Sequence, residues 1–142
     1  MTRVVLDTNV IVSGTFWSGV SFQVMRLVDE EKICLVLSSE ILREYSEILS
    51  SKEILTKTGS DCRIIDRVLR KISGKAILVL PTSKLCVVKD DPDDNKFIEA
   101  AVTGNASFIV TNDKHLLKLV RYGKIEIVTP EAFQKTMRQG PI

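Results

Sequence analysis

The chain has 142 residues, 44% of them hydrophobic and 27% charged, which is the make-up of an ordinary globular domain and not of a disordered or fibrous chain. Its net charge of +2 excludes a uniformly basic binder held mainly by counterion release, and no apolar run approaches the ~18 residues that a membrane span requires. One domain is expected over 1–138 with 139–142 as a tail; Asp7 interrupts the N-terminal apolar run where a signal peptide would continue, so a cytoplasmic protein is expected.

Strand-like and helix-like segments alternate along the chain. Val4-Val5-Leu6 reads as a buried strand, Val20 to about Glu31 has helical spacing, and Ile33 to Leu37 reads as a second strand. Ser38 is placed to cap a helix running to about Leu49. Asp61 to Ile72 carries Ile64, Ile65, Val68, Leu69 and Ile72 on one helical face, with Asp61 as its cap and Asp66 on the solvated side. Ala76–Leu80 and Leu85–Val88 both read as strands. A helix opens at Asp93 or Asp94 and ends near Gly104. Ser107–Val110 is a strand, Asp113–Val120 a helix and Ile125–Val128 a last strand. Thr129-Pro130-Glu131 then opens a helix with a cap, a proline and a first-turn acid. This alternation predicts an α/β fold of three layers, α/β/α, around a mainly parallel sheet. Cys34, Cys62 and Cys86 include no C-x-x-C pair; Cys34 and Cys86 lie inside apolar runs and are expected to be reduced core residues.

In parallel α/β folds, ligands bind beyond the carboxyl ends of the strands, and four acids stand there where the hydrophobic pattern leaves room for none. Asp7 directly follows the first strand. Glu44 projects onto the edge of the Ile41, Leu42, Tyr45, Ile48 and Leu49 stripe, whereas Glu40 and Glu47 point away. Asp94 counts back onto the Phe97, Ile98 and Ala101 stripe, with Asp93 and Glu99 off it. Asp113 falls on the stripe of Leu116, Leu117 and Val120. Taken one at a time, each has an ordinary structural reading as a helix cap, a first-turn acid or a solvated charge. Together they would repel one another unless a cation relieved the charge, and all-oxygen donors select Mg²⁺ or Mn²⁺ over zinc.

Four blocks resemble the PIN domain family in its stand-alone, prokaryotic toxin form. They are Val4-Val5-Leu6-Asp7-Thr8-Asn9-Val10; Leu37-Ser38 with Ile41-Leu42-Arg43-Glu44-Tyr45; Asp91-Pro92-Asp93-Asp94-Asn95-Lys96-Phe97 with Ala100-Ala101; and Phe108-Ile109-Val110-Thr111-Asn112-Asp113. The resemblance implies a PIN-like fold with Asp7, Glu44, Asp94 and Asp113 as catalytic and metal-binding acids, supported by Asn9, Ser38, Thr111 and Asn112. It implies hydrolysis of RNA phosphodiesters with Mg²⁺ or Mn²⁺, an antitoxin partner and a homodimer. His115 stands where many members carry a further acid, and reads as a surface residue. Lys84, Lys89 and Lys114, with Arg70, Lys71, Lys75, Lys118 and Arg121, are candidates for holding RNA. Phe16 and Trp17 are candidates for base stacking, core packing or a dimer contact. The rivals are a catalytically silent PIN-like module and a nuclease for single-stranded DNA. A haloacid-dehalogenase-like phosphatase is disfavoured by Asn9, where that chemistry needs an acid.

Overall fold

A computed structural model describes residues 1–139. The elements run β1 (Thr2–Leu6), α1 (Thr8–Phe16), α2 (Val20–Asp29), β2 (Ile33–Ser38), α3 (Ser39–Leu49), α4 (Lys52–Thr58), α5 (Cys62–Lys75) and β3 (Ile77–Val79). A 3₁₀ turn (Pro92–Asp94) follows, then α6 (Asn95–Thr103), β4 (Phe108–Val110), α7 (Lys114–Leu117), β5 (Arg121–Tyr122), β6 (Ile125–Val128) and α8 (Pro130–Arg138). Of the expected tail, 140–142 lie outside the described residues.

The sheet order is β3-β2-β1-β4-β6-β5, parallel throughout except for β5 against β6. Val4, Val5 and Leu6 are all fully buried, so both faces of the central strand are covered, as in a three-layer α/β/α domain. Helix α6 lies against β1, β2 and β4; α2, α3 and α5 all touch β2. Among the described residues no helix is long and apolar enough to cross a membrane.

Three departures from the sequence reading have simple causes. The first is α1. Val10, Ile11, Val12 and Gly14 are buried together while Asn9 and Ser13 are exposed, and three apolar residues in a row leave no helical stripe to read in the sequence. Gly14 is there for close approach: a Cβ would sit 2.7 Å from Ser21 O at the start of α2. The second is Leu85–Val88, which pairs with no strand among the described residues. Side chains take its backbone donors: Glu99 Oε2 accepts from Leu85 N at 2.8 Å, and Asn95 Oδ1 accepts from Val87 N at 2.9 Å and Val88 N at 2.8 Å. Cys86 is therefore exposed, Cys34 is half-buried, and all three cysteines are unpaired, which corrects the core placement. The third is the 113–120 helix, which stops at Leu117; Arg121–Tyr122 turns through Gly123 (φ 59°) to pair with β6. Helix α4 was also missed, and Ile64 is 44% exposed, off the buried face of α5 that Ile65 and Ile72 form.

Candidate metal centre

The chain moves outward from β1 through β2 to β3 and then crosses back to β4 on the other side of β1. That reversal opens a crevice at the carboxyl ends of β1 and β4. Leu6 pairs with Val110, so the next residues, Asp7 and Thr111, emerge side by side. Thr111 Oγ1 donates to Asp7 Oδ2 at 2.6 Å and accepts from Asp113 N at 2.9 Å. One buried hydroxyl thus ties the acid after β1 to the acid that starts α7. Asp113 also caps that helix, its Oδ1 accepting from His115 N at 2.7 Å.

Asp94 ends the 3₁₀ turn that leads into α6. Asp91, which precedes the 3₁₀ turn, lies outside the α region (φ −143°, ψ 86°), as a residue before proline prefers, and Asp94 N donates to Asp91 O at 3.0 Å. The three-residue spacing brings both carboxyls to one side. Asp91, Asp94 and Asp113 each offer a carboxylate oxygen within 4.8 Å of the others. Two unit charges that close repel by about 3.5 kcal/mol even at an effective dielectric constant of ~20. Asp94 is 8% exposed and its Oδ2 has no hydrogen-bond partner among the described residues. Its carboxyl is pushed up to about 8, first by burial, then by the Asp113 charge, by the bond a protonated Asp94 gives Asp113, and by Asp91 and Asp7.

Asp7 borders this triangle. Burial raises its carboxyl, the bonds from Thr111 and Thr8 N lower it, and the Asp113 and Glu44 charges raise it again; the net direction is upward. Glu44 is drawn to a different partner. Its Oε1 is 2.6 Å from Lys96 Nζ, and its Oε2 accepts from Thr8 Oγ1. Lys96 is 7% exposed and also reaches Asp93 Oδ2 at 3.0 Å. Burial pulls the ammonium down, but hydrogen bonds to Glu44 and Asp93 outweigh it and hold Lys96 above its ordinary value. Beneath Glu44, fully buried Tyr45 donates to Leu6 O; burial, then the Asp7 and Glu44 charges, push its phenol well up.

Ser38 is buried and caps α3, accepting from Ile41 N at 3.2 Å; Asn9 and Asn112 are exposed. His115 is exposed, with Nδ1 3.7 Å from Asp90. Lys84 pairs with Glu40 at 3.2 Å, Arg70 with Asp66 at 3.1 Å, Lys71 with Asp29 at 3.2 Å and Arg121 with Glu126 at 3.5 Å; Lys118 pairs with Asp90. Lys75 donates to Asp29 O at 2.8 Å. Lys89 and Lys114 are exposed and make no ion pair among the described residues. Trp17 is 43% exposed and meets Phe16 edge-on at 6.1 Å. The sequence reading overlooked Asp91, Thr8, Asn95, Lys96 and Glu99. Asp91 was legible only as part of an Asp-Pro-Asp-Asp run, and Lys96 and Glu99 carried no signal of burial.

An all-oxygen cluster with an unpartnered, buried carboxylate oxygen suits a hard divalent cation such as Mg²⁺ or Mn²⁺. The fold is similar to that of VapBC2 from Rickettsia felis, solved bound to a DNA fragment from its promoter. The TM-score is 0.57 at 15% identity, covering 89% of this chain and 97% of that one. The sequence is 33% identical over 140 residues to MJ1680, an uncharacterized protein of Methanocaldococcus jannaschii, with 92% of this chain and 88% of the relative covered. The sequence model of the PIN domain matches residues 3–115. By that match the chain belongs to the PIN domain family.

Proposed function

We propose that the chain is a divalent-metal-dependent endoribonuclease, the toxin of a toxin–antitoxin pair. The observation that carries this reading is the buried Asp94 Oδ2, left without a partner among carboxylates at the β1/β4 crevice. PIN domains are generally nucleases, and an acidic crevice cannot approach a phosphodiester without a cation. Asp7, Asp94 and Asp113 would hold Mg²⁺ or Mn²⁺, which when bound lowers the pKa of water and offsets phosphate charge.

The chain's own groups have distinct tasks in this reading. Thr111 fixes the Asp7 carboxylate relative to Asp113. Glu44, already shared between Thr8 and Lys96, receives a proton or contacts the cation through water. Asn9 and Asn112, exposed at the mouth, orient water or substrate. Lys89 and Lys114 neutralise RNA phosphates. Lys84 and Lys118 join them by exchanging exposed partners, since such pairs contribute only ~0–1 kcal/mol. An antitoxin and a second copy of the chain are the protein partners, with exposed Trp17 and Phe22 available to them.

The test is cleavage of end-labelled single-stranded RNA and DNA with Mg²⁺, Mn²⁺ or a chelator. RNA cut only with metal, and not at all by Asp94→Asn, supports the reading. Cleavage of DNA alone would replace RNA as substrate. A chain that binds metal but cuts neither is a silent module. Growth arrest on expression, relieved by a neighbouring gene's product, tests the toxin role.

A further inference from the structure

The run from Asp90 to Asp94 holds four acids of two kinds. Asp90 and Asp93 are exposed and have cationic partners, Lys118 and Lys96, which hold their carboxyls below the usual range. Asp91 and Asp94 have no such partner among the described residues. Asp91 is half-buried and makes no capping bond, although it opens a 3₁₀ turn where a side chain commonly would. Instead it offers a carboxylate oxygen within 4.8 Å of one from Asp94 and one from Asp113, and Asp94 Oδ2 is buried with no hydrogen-bond partner among the described residues.

This arrangement is enforced. Asn95 is 6% exposed and uses both ends of its amide on the segment that delivers Asp91. Oδ1 accepts from Val87 N and Val88 N, and Nδ2 donates to Pro92 O at 2.9 Å and Val88 O at 3.4 Å. A solvated surface acid needs no such clamp. Uncompensated, a third carboxylate here only adds repulsion.

We propose that Asp91 binds the divalent cation directly, together with Asp94 and Asp113, and that Asn95 is the positioning residue that holds it there. This rests on the cation site of the proposed function and not on its RNA substrate. The test is calorimetric titration of the purified chain with Mn²⁺, with Asp91→Asn compared against Asp90→Asn, which removes the same charge one residue away. Asp91→Asn is expected to weaken Mn²⁺ binding at least tenfold, and Asp90→Asn less than twofold. Water-proton relaxation is expected to show extra water on the Mn²⁺ held by Asp91→Asn, because a lost ligand opens a coordination position. Asp91→Asn binding within twofold of wild type, or weakened binding with unchanged water access, overturns the proposal. Should Asp91→Asn lose its fold by circular dichroism, Asp91→Ser carries the same comparison. A wild-type chain that takes up no Mn²⁺ sinks this inference. One that binds Mn²⁺ through Asp91 yet cuts no RNA leaves it standing and removes only the nuclease reading.

Discussion

Thr111 Oγ1 donates to Asp7 Oδ2 at 2.6 Å across two neighbouring parallel strands, and both residues are buried. The bond exists because β1 and β4 pair in register up to Leu6 and Val110. The same oxygen accepts from Asp113 N, so its removal orphans two groups. Thr111→Val, close in shape, is expected to destabilise the chain by about 2–3 kcal/mol, because unpaired buried polar groups cost ~1–3 kcal/mol each. Thr111→Ser, which keeps the hydroxyl, should lose less than ~1 kcal/mol. Urea denaturation of the three proteins measures the difference; equal losses for Val and Ser would assign the role to the methyl group instead.

Lys96 makes a second prediction. It is buried between Glu44 and Asp93, and only Asp93 is well solvated, its side chain 77% exposed. Replacing Lys96 with Met leaves Glu44 half-buried with a charge and only the Thr8 hydroxyl to meet it. Loss of one partner from a fully buried pair costs roughly 3–5 kcal/mol; here Glu44 retains 21% exposure, so a loss of about 2–3 kcal/mol is expected. Glu44→Gln in the Lys96→Met background should recover part of it. A double variant no more stable than Lys96→Met would mean that the two residues do not interact energetically.

Much of this was legible from residues alone, for identifiable reasons. Val4–Leu6 of β1 and Ile33–Leu37 of β2 are short continuous apolar runs, the pattern of strands covered on both faces. Asp61 announced a cap and is one, accepting from Arg63 N at 2.9 Å and Ile64 N at 3.1 Å. Asp7, Asp94 and Asp113 stood out as charges where apolar residues were due, and all three lie at or beside the crevice. What escaped was burial decided by a distant partner. Lys96 and Glu99 sit off the apolar stripe of α6 and are nonetheless buried, because Glu44 and the 85–88 backbone come to meet them. Leu85–Val88 had the composition of a strand, and which donors it uses depends on Asn95 and Glu99, which no local pattern reveals.

Asn95 supplies the third prediction. Asn95→Ala leaves Val87 N, Val88 N, Val88 O and Pro92 O without their side-chain partner. Water can reach some of these groups once the segment loosens, so the cost is expected to be about 2 kcal/mol rather than the sum of four lost bonds. The sharper readout is local: limited proteolysis should cut within 81–92 at least several times faster than in wild type, with the 1–80 region equally protected. Uniform loss of protection would make Asn95 a global stabiliser and not a clamp on this segment.

The last prediction concerns pH. Asp94 keeps its proton up to about 8 in the folded chain, against an ordinary carboxyl value of 3.8 when unfolded. Between those values the native state holds a proton that the unfolded state has released. Stability therefore falls as pH rises through that window, and the deficit is complete above the folded value. Asp94→Asn removes both the titration and the repulsion from Asp113, Asp91 and Asp7. At pH 8 without metal it should melt several degrees above wild type, since each kcal/mol regained is worth roughly 3–5 °C in a chain this long. The gap should narrow towards pH 4, close to the unfolded value of 3.8, because little of the deficit has accumulated there. Mn²⁺ at pH 8 should raise the wild-type melting temperature and leave Asp94→Asn almost unmoved, because only a ligand bound to the native state shifts it. Melting curves at pH 4, 6 and 8, with Mn²⁺ and with chelator, decide it. A variant that melts below wild type at pH 8 would mean that Asp94 stabilises the fold, and the crevice would then be a structural feature with no charge waiting to be met.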